Sequence, residues 1–439
     1  MFIQDVVRKI WEPITKEYNE AYEQSMKLSA EELYDIHSKN EMEKYEYESV
    51  TMNMLASCGC SYRLNNRELS GCSMCDYQSE KASAQGSLLA LREKSPELYA
   101  KAIVNGFYNA RGQKDVPNII EHISGYDTLD EQETPDELMN ALYHENSQLF
   151  ETRPYKYNIE ARAASITPTK LEKLKEKMGK RKRSVFEFGV EVSDEWLRCH
   201  WLNKGTTNSQ ISKAIQNIHD AGFQAIGDLI IGVPGLTEQQ AVQLFKDAAL
   251  WLDQEGADLI VVLPLNRKKY TLQGYLHQHL HSNQALEEVG LAQGEHTGLP
   301  WLFTVINALV AVFEERPELV WKMNLAQISP ATNSIKNDTA YNGSPESLST
   351  KLCIQALNEF QTTKDIGKLL DVQKKWEGDE CYKVYRELLV KQEKLNNIYD
   401  TIDLVGKELS RSLFLDQWEG QYSKLKRELY KEKQLKTGR

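Results

Sequence analysis

The sequence predicts an α/β fold: a partial (β/α)6 barrel of the TIM type, preceded by a helical extension and followed by a mainly helical region. Three observations carry this. Six short apolar segments, rich in β-branched and aromatic residues, recur between about residues 48 and 275. Most are separated by amphipathic stretches that carry helix start and stop signals, and strand–helix alternation at this spacing implies parallel βαβ units. Six units are fewer than the eight of a complete barrel, so the barrel is expected to be partial.

The elements follow in order. Residues 1–47 read as a helical extension, with Ile3, Val6, Val7, Ile10 and Trp11 at helical spacing and Ser29 with Glu32 as a capping box. The barrel is expected over 48–297. Its strands are placed at Ser49 to Ala56, Val116 to Ser124, Tyr155 to Arg162, Ser184 to Val192, Gln224 to Gly232 and Ala257 to Leu265. Thr167-Pro168 opens a helix that stops at Gly179, another runs from about Asn208 to Asp220, and Thr237 with Gln240 opens a third that stops at Gly256. Residues 298–439 form the C-terminal region. It begins with an apolar helix around Trp301 to Phe313, passes through a loop near Ser329 to Glu346, and becomes charged and helical. Ile402, Val405, Leu409, Trp418, Tyr422, Leu425 and Leu429 form stripes expected to pack on the barrel or to join two copies as a homodimer.

At 439 residues and 41% hydrophobic content the chain can bury a large core. A net charge of -11 argues against bulk electrostatic binding of nucleic acid. The first twenty residues are amphipathic and charged, and no run of about 18 apolar residues occurs, so a soluble, cytoplasmic protein without membrane association is expected. Seven cysteines, four of them between Cys58 and Cys75, favour metal or catalytic use over disulfides in that compartment.

Cys60, Cys72 and Cys75 lie in a loop expected to follow the first barrel strand. Thiolates are soft ligands suited to zinc or to iron–sulfur clusters, and closely spaced ones pre-pay the entropy of gathering around one centre. With Cys58 they could close a four-ligand zinc site; as a set of three they would leave one corner of a cubane cluster open. Spacing alone leaves both readings standing.

Further motifs follow the loop: Ser124-Gly125 leading through an acidic stretch to Pro135, Glu160-Ala161-Arg162, Phe188-Gly189-Val190-Glu191, and Gly232-Val233-Pro234-Gly235. With Gly59-Cys60 and Gly71-Cys72-Ser73-Met74-Cys75-Asp76-Tyr77, this ordered set resembles the radical S-adenosylmethionine (radical SAM) enzymes, in the variant with a long first cysteine gap. It is similar to the subgroup of the archaeosine synthase radical subunit and, more distantly, to the radical domain of the Elongator acetyltransferase subunit. The resemblance covers roughly residues 48–275. It implies that Cys60, Cys72 and Cys75 hold a [4Fe-4S] cluster whose fourth iron binds S-adenosyl-L-methionine. Reductive cleavage would then yield a 5′-deoxyadenosyl radical that abstracts hydrogen from a substrate. It further implies cofactor contacts from Ser124 and Gly125 to the methionine amino group and from Tyr77 to the adenine. Glu160, Arg162 and Glu191 would contact the methionine carboxylate and ribose. A structural ion pair between Glu160 and Arg162 is the alternative for those two, and Cys58 has no role in the pattern.

The expected substrate is a small molecule of amino acid or nucleoside type, as in natural-product biosynthesis, with a flavodoxin- or ferredoxin-type electron donor. Two alternatives stand beside it: a tRNA- or nucleobase-modifying enzyme that works with a partner, and a non-enzymatic zinc-binding interaction protein. Cys199 reads as an ordinary packed thiol, His277, His279 and His281 as a solvated stretch, and Lys180 to Arg183 as cations suited to a helix C-terminus.

Overall fold

The structure is a computed structural model that describes residues 1–41, 43–47, 50–64, 70–76, 79–109, 120–124, 127–144, 156–179, 184–326, 338–395 and 397–437. Eight strands form one sheet in chain order. They are β1 Glu43–Tyr47, β2 Val50–Met54, β3 Ile120–Ser124, β4 Lys156–Glu160, β5 Val185–Glu191, β6 Gln224–Ile231, β7 Leu259–Pro264 and β8 Met323–Leu325. β1 pairs antiparallel with β2, and the seven strands β2 to β8 run parallel as a curled half-barrel.

All six expected strands are present, as β2 to β7. Two more flank them, so the sheet reaches past residue 48 on one side and past residue 297 on the other. β8 is three residues long and β1 alternates charged and aromatic residues, as edge strands do when they must not template further pairing.

The helices obey local chemistry. Thr167, Thr207 and Thr237 each accept a hydrogen bond from the third residue of the helix they cap, and Gly179 ends the first of these helices at φ 58°. Outward-facing strand residues such as Tyr157, Ile159, Phe186, Phe188, Leu229 and Ile231 are buried beneath these helices. Each such side chain contributes about 1.5–3 kcal/mol on leaving water. Inward-facing positions are polar: His122, Asn158, Glu160, Glu187 and Asp228 share the concave face by the two-residue period.

The N-terminal helix Phe2–Ser25 buries Phe2, Ile3, Val6, Val7, Ile10, Trp11, Ile14, Tyr18 and Tyr22. It lies against the helix Ala82–Lys94, where Gly86 admits the Tyr18 carbonyl; a Cβ there would stand 2.3 Å from that oxygen. The C-terminal helices Ile398–Phe414 and Trp418–Thr437 pack on each other and return to the N-terminus. There Glu428 accepts from the Phe2 amide at 2.9 Å and Lys424 meets Asp5 at 2.5 Å. Among the described residues no helix is long and apolar enough to cross a membrane.

Candidate functional site

The cysteine loop leaves β2 at the C-terminal end of the parallel sheet, the end at which α/β barrels assemble their sites. It is clamped by loops from three other strands. From the loop after β3, Glu133 accepts from the Ser61 amide at 2.5 Å and Asp130 from the Ser61 hydroxyl at 2.7 Å. From the segment after β5, Asn203 Nδ2 donates to the Gly71 carbonyl at 2.7 Å, and the Leu202 carbonyl accepts from the Ser73 amide at 2.8 Å. From the segment after β7, the Tyr270 amide donates to Asp76 at 2.9 Å and the Leu272 amide to the Ser73 carbonyl at 2.7 Å. The N-terminal helix closes the far side. Its Tyr18 hydroxyl donates to the Cys58 carbonyl at 3.2 Å, and its Trp11 ring lies 3.8 Å below the Arg63 guanidinium, which donates to the Cys75 carbonyl at 2.8 Å. What reads in sequence as a packing extension thus also supports the loop.

Cys60, Cys72 and Cys75 are half-buried, whereas Cys58 is fully buried with its sulfur donating to the Gln132 carbonyl at 3.5 Å. Burial pushes the Cys58 thiol up to about 11, and burial with Glu133 nearby pushes the Cys60 thiol up as well. Arg162 counters this from β4's end. Burial works against its charge, but Cys72 and Cys60 outweigh that and hold the guanidinium above its ordinary value. It stacks 3.9 Å over the Tyr62 ring and donates to the Lys204 carbonyl at 2.7 Å. Arg63 Nη1, shut in beneath the loop, has no hydrogen-bond partner among the described residues. Three soft donors, a cation beside two of them and an unanswered N–H below suit an anionic metal–sulfur cluster. With Cys58 turned away into the core, a closed four-cysteine zinc site lacks its fourth ligand.

Glu191 sits at φ 68° beside a bulge in β5, a left-handed conformation that costs a non-glycine residue about 1–2 kcal/mol. The turn brings its carboxylate to Lys204 Nζ at 2.7 Å. Gly189 makes room, since a Cβ there would stand 2.3 Å from Lys204 Nζ and 2.5 Å from Glu191 Oε1. Burial opposes the charge on Lys204, and Glu191 and Cys72 overcome it.

Glu160 meets His122 Nε2 at 2.8 Å, while Arg162 is turned up toward the cysteine loop. Ser124 ends β3; Tyr77 and Gly125 lie outside the described residues, as do Lys180 to Arg183. Cys199 donates to the Thr206 carbonyl at 3.6 Å, and His277 and His279 lie on the helix Leu272–Leu280. Sequence reasoning passed over Tyr62, Arg63, His122, Glu187, Asn203, Lys204 and Asp228. For Glu187 and Asp228 a signal exists: a charged side chain inside a strand that is otherwise mostly apolar on both faces. For Lys204 and Asn203, in a loop, none does.

No family model matches the chain. An uncharacterized protein of Methanocaldococcus jannaschii is 23% identical over 323 residues, covering 72% of this chain and 77% of the relative. Among solved structures, the chain is similar to the radical S-adenosylmethionine methyltransferase TsrM of Kitasatospora setae with tryptophan substrate and the SAM analogue aza-SAM bound. That likeness has a TM-score of 0.32 and 14% identity over 54% of this chain and 40% of the other. A second structure of TsrM, with cobalamin and a [4Fe-4S] cluster, gives a TM-score of 0.37 and 13% identity over 64% and 56%. The chain spans about half the length of these solved chains. Likenesses at this distance assign no family.

Proposed function

We propose that the chain is a radical SAM enzyme in which Cys60, Cys72 and Cys75 hold a [4Fe-4S] cluster and S-adenosyl-L-methionine binds beside it. The observation that carries this reading is the three-cysteine loop held at the C-terminal mouth of a parallel half-barrel, with Arg162 drawn to Cys60 and Cys72. The bound pair supplies one-electron cleavage of the sulfonium and, from it, hydrogen-atom abstraction. The chain's own residues do the rest. Arg162 brings a fixed positive charge for the methionine carboxylate, with Tyr62 holding its plane. The Glu191–Lys204 pair offers an acceptor and a donor for the ribose hydroxyls, and Ser124 brings backbone to the amino group. The clamped loop and the N-terminal helix beneath it close one side of the site against water.

The substrate reading is a small molecule of amino acid or nucleoside type. The concave face carries Glu160, Glu187, Glu191 and Asp228, which repel a phosphate backbone. A low-potential donor of flavodoxin or ferredoxin type delivers the electron.

Anaerobic reconstitution tests the proposal. About four irons and four sulfides per chain are expected, with 5′-deoxyadenosine formed from S-adenosylmethionine on reduction and lost in Cys72→Ala. Stoichiometric zinc with no iron, or an iron-loaded protein that leaves S-adenosylmethionine intact, would defeat it. Salt-sensitive retention of tRNA on a filter would move the substrate reading to nucleic acid.

A further inference from the structure

Below the cysteine loop, on the concave face of the sheet, a second group of ligand-type atoms converges. His122 on β3, Glu160 on β4 and Glu187 on β5 each offer one ligand atom, and these atoms lie within 4.8 Å of one another. The register brings them together: His122 is opposite Asn158 and Glu160 is opposite Glu187. His122 Nε2 stands 2.8 Å from Glu160 Oε1 and 3.9 Å from Glu187 Oε2.

Two further side chains lie beside that triad. Asp228, on β6, interacts with Glu187, Glu191 and Glu160, and its Oδ1 is shut off from solvent with no hydrogen-bond partner among the described residues. Asn158 donates through Nδ2 to Glu187 Oε2 at 2.5 Å and approaches His122 Nδ1 at 3.4 Å. Its Oδ1 too is shut off from solvent without a partner among the described residues. Orphaned buried oxygens cost about 1–3 kcal/mol each unless something answers them.

Charge points the same way. Glu160 and Glu187 face one imidazole with Asp228 beside them, while Lys204 is engaged by Glu191. One imidazolium cannot balance three carboxylates in a partly buried site, and carboxylates so placed call for protons or for a multivalent cation. An ion with ligand distances of about 2.1 Å spans about 3 Å between adjacent ligand atoms and about 4.2 Å between opposite ones. The 2.8 and 3.9 Å separations from His122 Nε2 lie close to that range, with all three ligand atoms inside 4.8 Å.

We propose that His122, Glu160 and Glu187 form a second metal site, distinct from the cysteine loop and with Asp228 beside it, that binds one divalent first-row ion. One imidazole among carboxylates is a ligand set suited to Mn2+ or Fe2+. The ion lies on the concave floor beneath the cysteine loop, where it can hold a substrate through an oxygen or nitrogen donor. Glu160 then serves this ion.

The test is a titration of full-length protein with Mn2+ under anaerobic conditions, reading free Mn2+ by electron paramagnetic resonance. It is run on the reconstituted protein and on the chain with Cys60, Cys72 and Cys75 all replaced by Ala. One equivalent is expected to bind in both, so the result stands apart from whether the cysteines hold a cluster. His122→Ala and Glu187→Gln are each expected to weaken binding at least tenfold, with the surface change Glu97→Gln neutral. Circular dichroism confirms that the variants are folded, and anomalous scattering at the manganese edge in unaltered protein locates the ion if they are not. No saturable binding, binding untouched by both changes in folded variants, or an ion located elsewhere overturns the proposal.

Discussion

Replacing Glu133 by Ala isolates how the cysteine loop is held. Glu133 is 1% exposed, and its carboxylate accepts from two backbone amides, Ser61 at 2.5 Å and Asp127 at 2.9 Å. Burial, with Asp127 beside it, pushes the carboxyl well above its ordinary range, so the group is kept at a cost. Alanine leaves the buried Asp127 and the half-buried Ser61 N–H groups unanswered, at about 1–3 kcal/mol each and so about 2–6 kcal/mol in all. Ser61 adjoins Cys60, so the penalty falls on the ordered loop that must present the sulfurs. Even the low end corresponds to about a 30-fold faster loss of iron to a chelator, since about 1.4 kcal/mol is a factor of ten. The assay is iron content against time in chelator after anaerobic reconstitution, with circular dichroism to show that the barrel remains folded. Glu133→Gln, which keeps one acceptor, is expected to fall between. A folded Glu133→Ala protein that holds its iron as long as the unaltered chain would refute the clamp.

Three other outcomes follow from the same geometry. Cys58→Ala is expected to cost about 1–2 kcal/mol in thermal unfolding through lost packing, with iron content and S-adenosylmethionine cleavage unchanged; loss of iron would make Cys58 a ligand. Gly71→Ala places a Cβ 2.5 Å from Arg63 Nε, and overpacking of about 1–3 kcal/mol is expected to shorten iron retention, whereas retention equal to the unaltered protein would show that Arg63 moves freely. Glu238 is raised from 4.5 to about 7 by burial against the hydrogen bonds from Thr304 and Trp301. Its native form therefore holds a proton that the unfolded chain has released, and stability falls by about 3 kcal/mol as pH rises from 4.5 through 7. Glu238→Gln is expected to flatten that part of the pH profile in denaturant melts; an unaltered slope would assign it to other groups.

The expected C-terminal stripes also find their partners in the fold. Val405 and Leu409 are buried in the helix Ile398–Phe414, and Leu425 packs so closely on Gly406 that a Cβ there would stand 2.0 Å from it. They form a layer with the N-terminal helix of the same chain.

What the sequence determined by itself was local. Thr167, Thr207 and Thr237 cap their helices through atoms three residues away, and six strands declare themselves through apolar runs, so neither needs a distant partner to be read. The cysteine spacing likewise marks a candidate soft-metal loop wherever the chain goes. Tertiary structure decided everything that depends on register and return. β1 and β8 are strands because β2 and β7 offer them hydrogen bonds, and their own residues carry little signal. Glu160 meets His122, 38 residues earlier, because β3 and β4 pair with His122 opposite Asn158. Glu191 reaches Lys204 because β5 bulges, and Glu133 holds Ser61 because the loop after β3 folds back over the cysteines. Such pairings are properties of the closed sheet, since side chains on neighbouring strands meet only once long-range pairing has set their alignment.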